Sequence, residues 1–378
     1  MISGLAVSSG EQAAIERAME RALALARSAL GRTSPSPAVG AVVLRDGRVV
    51  GEGVTRPPGG DHAEVVALRQ AGEAARGGTL VVTLEPCNHA GRTPPCTEAI
   101  VRAGIRQVVA AVRDPNPRVA GGGLAWLRAA GLVVNLGSHA RAAAELNYGF
   151  FKLVATARPF VTAKWAMTLD GRIAPPGGGG AVTGAAAHAR AHQERDAADA
   201  VMIGIGTARR DDPRLTVRPA PADRRQPQRV VVDSQAFLPT TARMLAEPGP
   251  TLVCCSAGAP LDHVRRLEAA GAEVVALSAD TAGRVALPAV LAELGTRGLA
   301  NVLVEGGATL LGACFAADAV DRVMAFVAPS LFGDGVPALL LPGGLAAPLM
   351  LPDAQVGRAG DDFLISGYLR RYDPPEVT

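Results

Sequence analysis

Along the chain, short apolar runs alternate with longer stretches whose apolar residues recur at helical spacing. Ser9-Gly10-Glu11-Gln12 resembles a capping box and predicts an Ala/Leu-rich helix to about Leu30. Ala38–Leu44 and Val49–Gly53 flank Asp46-Gly47, a hairpin signal between two strands. A helix is expected from Asp61-His62 to about Ala75, then a strand over Thr79–Thr83, a helix over Cys96–Ala103, a strand over Gln107–Val112 and a helix over Gly123–Ala130. A domain boundary is expected near residues 145–160, where Asn147-Tyr148-Gly149-Phe150 leads into Arg158-Pro159. Beyond it, strands are expected at Val161–Trp165, Ala200–Ile205, Arg229–Asp233, Thr251–Cys255, Glu273–Leu277, Asn301–Glu305 and Arg322–Ala328. Helices should cover about 185–196, 261–270, 287–295 and 308–317, with loops at Pro175–Gly180 and Arg218–Gln228 and a loose tail at Asp373–Thr378. No internal repeat is visible. The alternation predicts an α/β fold, mostly parallel sheets with helices on both faces, in two domains at residues 1–150 and 151–378.

Composition narrows the class. A chain of 378 residues suits two domains, and 48% hydrophobic with 19% charged residues suits a well-buried soluble enzyme. A net charge of +3 and 3% aromatics give neither a basic groove nor stacking platforms for nucleic acid, while leaving room for an anionic small molecule. No apolar run reaches the roughly 20 residues of a membrane span, and Met1 to Gly10 lacks the features of a signal peptide. Five cysteines, two of them in a ligand-like setting, point to a reducing cytoplasm rather than a disulfide framework. Cys254, Cys255 and Cys314 lie in apolar segments and read as core.

The remaining two cysteines carry chemistry. His62-Ala63-Glu64 begins a helix, Pro86-Cys87 follows a strand, and Cys96 closes the segment Asn88 to Pro95. One imidazole and two thiolates make a three-ligand zinc site with a fourth position open to water. Glu64, two residues past the histidine, is placed to take a proton from that water and deliver it to a departing amine. Taken singly, His62 reads as a helix cap, Glu64 as a solvated carboxylate and the cysteines as core. Together they predict zinc-dependent hydrolytic deamination. A non-catalytic scaffold keeping structural zinc is the reading from another class, and an intact Glu64 beside an open zinc position argues against it. Base deamination in nucleic acid is a further reading, disfavoured by the missing basic groove.

HAEVVAL, VTLEPCNHAGRTPPC and RDPNPRVAGGG closely resemble the bifunctional deaminase–reductases of riboflavin biosynthesis, and the resemblance extends from about Ala13 to Leu369. It implies a cytidine-deaminase-like three-layer N-terminal domain and a dihydrofolate-reductase-like C-terminal one. Zn2+ would be held by His62, Cys87 and Cys96, with Glu64 as acid and base. His89, Arg92, Asp114 and Asn116 would hold a phosphoribosylated pyrimidine. The bare readings of the last residues are a loop histidine and turn formers. One departure is Ser36 in Ser36-Pro37-Ala38-Val39-Gly40, where the family carries an asparagine that recognises pyrimidine. A serine hydroxyl offers less than an amide.

In the second half, Val302–Leu310 reads as strand, Gly-Gly turn and helix start, a weak phosphate-binding pattern by itself. Lys164 with Thr168-Leu169-Asp170-Gly171, and Gly204–Thr207 with Asp211–Arg218, are similar to the family's reductase segments. The resemblance implies NADPH contacts from Ala166, Thr207, Asp211, Ser234 and the turn Gly307, Ala308, Thr309, Leu310, Leu311, Gly312 and Ala313. It implies substrate contacts from Lys164, Arg195, Leu215, Arg218 and Glu305, in a homo-oligomer. Gly177-Gly178-Gly179-Gly180 departs from the family's Ser-x-Trp-Ile-Thr run, and His188 stands for a usual arginine. A glycine run costs entropy to order. The expectation is therefore either both activities or a paralogue acting on a related aminopyrimidine with its reductase half altered or silent.

Overall fold

The computed structural model describes residues 9–89, 94–223 and 225–373, in two compact units. One runs to Thr156 and takes in Tyr372 and Asp373, and the other is Ala157–Arg371. No helix among the described residues is long and apolar enough to cross a membrane.

Among the described residues of the first unit, five strands form one sheet: β1 (Gly40–Arg45), β2 (Arg48–Val54), β3 (Thr79–Val82), β4 (Gln107–Ala110) and β5 (Val133–Leu136), in the order β2-β1-β3-β4-β5. β1 is antiparallel to β2 and β3, while β3, β4 and β5 run parallel. Asp46 and Gly47 both take positive φ, 51° and 73°, and turn β1 into β2 as the Asp-Gly pattern predicts. α1 (Ser9–Ser28) packs on β1; α2 (Ala63–Ala71), α3 (Cys96–Arg102) and α4 (Gly122–Ala129) touch one another in series, with α2 on β2. α5 (Ala140–Leu146) contacts α1, and α6 (Tyr148–Thr156) follows it.

The layers meet where the strands lack side chains. A Cβ at Gly53 would lie 2.0 Å from the carbonyl oxygen of Ala63, so α2 rests on bare strand backbone at its first turn. On the opposite face, a Cβ at Gly40 would lie 1.9 Å from the Ala22 oxygen of α1. These contacts, more than helix propensity, fix where α2 begins.

In the second unit, the described strands are β6 (Phe160–Thr168), β7 (Arg172–Ala174), β8 (Ala200–Gly204), β9 (Gln228–Val232), β10 (Thr251–Ser256), β11 (Glu273–Leu277), β12 (Asn301–Val304), β13 (Arg322–Ala328), β14 (Val336–Pro337), β15 (Gln355–Ala359) and β16 (Asp362–Tyr368). Nine make one sheet in the order β11-β10-β9-β8-β12-β6-β13-β16-β15, and β7 and β14 form a separate ribbon. The strands from β11 to β13 are parallel, and β16 and β15 add antiparallel at one edge. The helices are α7 (Ala185–Ala197), α8 (Ile205–Asp211), α9 (Arg243–Ala246), α10 (Leu261–Ala269), α11 (Leu287–Thr296) and α12 (Ala308–Ala316). Cores lie on both faces of the sheet. Cys254 packs with α11 and α12 residues such as Leu294 and Leu311, while its neighbour Cys255 packs with Leu267 and Met244. Adjacent strand residues point to opposite faces, so both thiols are fully buried, as is Cys314.

Several elements escape the pattern reading. β5 has four residues at a sheet edge, partly exposed, and α5 and α6 occupy the stretch read as a boundary. α8 starts where the strand reading ran on through Ile205. β15 is an exposed edge strand, Gln355-Val356-Gly357-Arg358-Ala359, with too little apolar alternation to be seen.

The close contact at Gly53 sets a test. Gly53→Ala forces the first turn of α2 away from β2, taking His62 and Glu64 with it. The expected result is a loss of about 1–3 kcal/mol in denaturant unfolding, together with zinc bound at less than one per chain by elemental analysis. An unfolding midpoint and zinc content equal to the unmodified protein would show that this contact does not seat α2.

Candidate active sites

His62 precedes α2 in an extended conformation, φ −72° and ψ 160°, and Cys96 opens α3. His62 Nδ1 lies 3.2 Å from Cys96 Sγ and 3.6 Å from Cys87 Sγ, and the Cys96 backbone N–H donates to Cys87 Sγ at 3.4 Å. The three ligand atoms lie within 4.8 Å of one another, and no other such group of three occurs among the described residues. Zinc bonds of about 2.0 Å to nitrogen and 2.3 Å to sulfur separate tetrahedral donors by roughly 3.5–3.8 Å. The three side chains are therefore gathered close to the spacing zinc requires.

The three groups are strongly coupled electrostatically. A hydrogen bond from Cys96 holds the Cys87 thiol down at about 4 despite burial, with His62 adding to the effect. Hydrogen bonding to Cys87 in turn holds His62 up at about 9 and, with burial, pushes Cys96 far above the ordinary thiol range. The network thus favours the thiolate of Cys87, the form in which a cysteine binds metal. Glu64 lies in the first turn of α2, 4% exposed, and burial followed by the charge of Cys87 raises its carboxyl to about 7.

His62, Glu64 and Cys87 open onto a cavity of about 360 Å³, and Ser36, His89, Asp114 and Asn116 line it too. Cys96 sits fully buried behind them. Arg92 lies outside the described residues. His89 Nδ1 is buried without a hydrogen-bond partner, which suits a ligand donor or acceptor. Burial pushes Asp114 up to about 7, against the N–H of Asn116, which donates to its Oδ1 at 2.8 Å. Asn116 Oδ1 in turn accepts from Arg118 N–H at 3.1 Å. The DPNP residues thus form a turn and line the cavity at once. Sequence reasoning missed Arg56, Arg118 and Phe150 in the lining, and also Glu85. Glu85 accepts backbone N–H groups from Asp114, Gly121 and Leu124 at 3.3, 2.9 and 3.1 Å. An acidic residue inside the apolar run before Pro86-Cys87 was the available signal.

The second unit has two adjoining cavities at the ends of its parallel strands. The smaller, about 400 Å³, is lined by Lys164, Ala166, Asp211, Glu305 and Leu311. The larger, about 840 Å³, is lined by Ser234, Ala308, Thr309, Leu310 and Ala313. Thr207 and Gly307 line both. Gly307, φ 50°, caps α12, and a Cβ there would lie 2.8 Å from Thr207 Oγ1, itself buried and unpartnered. This cradle fits a dinucleotide phosphate at a helix N-terminus. NADPH bound here would be held by the start of α12 and by Thr207.

The Glu305 side chain is 6% exposed. Burial opposes its ionisation, yet Arg195, through hydrogen bonds of 2.5 and 2.8 Å, and Lys164 at 3.8 Å hold the carboxyl down at about 2. Other expected residues stand off the cavity lining. Leu215 is buried in the core with φ 54°, the backbone N–H of Arg218 donates to His192 Nδ1, and Gly312 lies against Leu340, whose oxygen would be 1.9 Å from a Cβ. Arg195 is paired with Glu305 and also donates to the Thr216 carbonyl. His188 is exposed on α7, and Gly179 and Gly180 line the smaller cavity.

Two family models match the chain: the cytidine and deoxycytidylate deaminase zinc-binding region over residues 12–112, and the RibD C-terminal domain over residues 159–365. Riboflavin biosynthesis protein RibD of Aquifex aeolicus is 39% identical over 94% of this chain and 98% of its own length, and that of Escherichia coli 38% identical over 86% and 90%. The solved structure of Acinetobacter baumannii RibD is 36% identical with a TM-score of 0.84, covering 95% of this chain and 99% of that one. A Thermotoga maritima structure described as a diaminohydroxyphosphoribosylaminopyrimidine deaminase and 5-amino-6-(5-phosphoribosylamino)uracil reductase is 36% identical with a TM-score of 0.81, over 94% and 99%. The matches run through both halves, so a paralogue with a silent second half is not favoured. With zinc in its deaminase half and NADPH in its reductase half, the chain belongs to the RibD family, the bifunctional pyrimidine deaminase–reductases of riboflavin biosynthesis.

Proposed function

We propose that the first cavity deaminates 2,5-diamino-6-(5-phosphoribosylamino)pyrimidin-4(3H)-one and that the second reduces the ribosyl chain of the product to ribityl. The observation carrying the first step is the convergence of His62, Cys87 and Cys96 with Glu64 on one cavity. Zinc, when bound by those three residues, supplies Lewis-acid activation of water. Glu64 accepts a proton from the attacking water and delivers it to the departing ring amine, so that water and aminopyrimidine become a ring carbonyl and ammonia. His89, Asp114, Asn116 and Ser36 hold the ring. Arg56 and Arg118, at the cavity wall, offer cations for the sugar phosphate.

In the second cavity, NADPH when bound would supply the hydride and solvent the proton for reduction of the sugar, and the chain's residues would align cofactor and substrate. Lys164 and Glu305 contact the substrate, with Arg195 orienting Glu305 as a positioning residue. Leu215 and Arg218 support this site from behind rather than within the lining. The chain works in the cytoplasm as a homo-oligomer, a reading supported by its buried reduced cysteines and by exposed Leu331, Met350 and Val356 on the second unit.

Glu64→Gln tests the first step. Ammonia release from the phosphoribosyl pyrimidine is expected to fall by at least about 100-fold, with zinc retained. Undiminished release would remove Glu64 from the mechanism. Following NADPH oxidation in the same assay with the deaminated product tests the second step, and an absence of oxidation would leave that cavity without its proposed role.

The buried Glu305 predicts a pH signature. Its folded value lies below the ordinary 4.5, so its ionised contacts stabilise the second unit fully above about pH 4.5. That stabilisation, on the order of 3 kcal/mol, is lost as pH falls from about 4.5 toward about 2. Glu305→Gln strands Arg195 and Lys164 without a counter-charge and is expected to cost about 3–5 kcal/mol at neutral pH. Urea unfolding at pH 7, 5 and 3 should show the variant less sensitive to acid than the unmodified chain. Parallel pH profiles would contradict this assignment.

A further inference from the structure

The two cavities of the second unit meet at a wall to which Thr207, Arg210 and Gly307 each contribute on both sides. Three features there call for an anion. Thr207 is 9% exposed, and its Oγ1 has no hydrogen-bond partner. The N-terminus of α12 opens beside it, with unpaired N–H groups and the positive end of the helix dipole. Arg210, in the last turn of α8, directs only Nε to Asp211 Oδ1 at 3.2 Å, and its two terminal nitrogens have no partner among the described residues. Its stem passes under the glycine run: a Cβ at Gly178 would lie 3.1 Å from Arg210 Cδ.

We propose that Arg210 is a phosphate-binding residue that clamps the pyrophosphate of the nicotinamide dinucleotide where it crosses from the larger cavity to the smaller. The clamp rests on the reading of these cavities as the NADPH site. A guanidinium fork with both terminal nitrogens available suits paired phosphate oxygens. The α12 N–H groups and the Thr207 hydroxyl complete the shell from the other side. Asp211 Oδ1, on the remaining edge, keeps the guanidinium oriented without occupying the fork. The sugar phosphate of the pyrimidine is the competing source of the same chemistry, because Arg210 also faces the smaller cavity.

The test is equilibrium binding to the full chain, without turnover. NADP+ and, separately, ribose 5-phosphate are titrated calorimetrically into the unmodified protein, Arg210→Ala and Arg210→Lys, with unfolding midpoints measured alongside. The unmodified chain is expected to bind NADP+. Arg210→Ala should weaken that binding about ten- to thirtyfold and flatten its salt dependence. Arg210→Lys should recover part of the loss, since the charge remains and the fork does not. Ribose 5-phosphate binding should be unchanged. Equal NADP+ affinity in the alanine variant, or a loss confined to ribose 5-phosphate, overturns the proposal. No NADP+ binding by the unmodified chain would overturn the cofactor reading first, and the clamp with it.

Discussion

A carboxylate buried behind the end of a strand must be met by donors, because leaving it unpaired costs more than most single contacts return. Glu85 in the first unit and Glu305 in the second are two such groups beside the cavities. Glu85, 3% exposed, follows β3 and takes three backbone N–H groups, from Asp114, Gly121 and Leu124. The turn bearing Asp114 and Asn116, and the start of α4, are thereby tied to the segment that delivers Cys87. Glu305, directly after β12, is met instead by Arg195 and Lys164. Backbone donors fix a loop, whereas charged side chains fix one another and hold a field. The first arrangement suits a site whose work is done at a metal and one proton carrier. The second suits a site that must orient two bound molecules.

This difference explains what was legible in the sequence. His62, Glu64, Cys87 and Cys96 could be read because two local segments carry them, and β2 and β3, both antiparallel to β1, deliver those segments to the same end of the sheet. Ser36, His89, Asp114 and Asn116 followed by likeness and do share the cavity. Phe150 could not be read, since it reaches the cavity from α6, in a stretch whose apolar residues looked like a boundary. Glu85 could have been. Only its burial shows that it organises the loop.

In the second unit, segment likeness identified the strands and turns that build the cavities but did not separate residues that line them from residues that support them. Leu215 sits in the core at positive φ, and Gly312 lets α12 approach the backbone of Leu340. Both are required by packing, and a motif records that requirement in the same way it records a contact. β15 was missed for a related reason: an edge strand needs little hydrophobic alternation when only one side of it is paired.

The glycine run at 177–180 marks where this chain differs in kind from its resemblance. All four residues take φ between 81° and 89°, a region that side chains of L-residues rarely enter. A serine or tryptophan placed on this backbone would be strained before it could contact anything. A side chain at Gly178 would crowd Arg210, and the space the run leaves is the space that the Arg210 stem occupies. A cation at a helix end, 40% exposed in its side chain, is open to screening by salt, so any phosphate contact it makes must weaken as ionic strength rises.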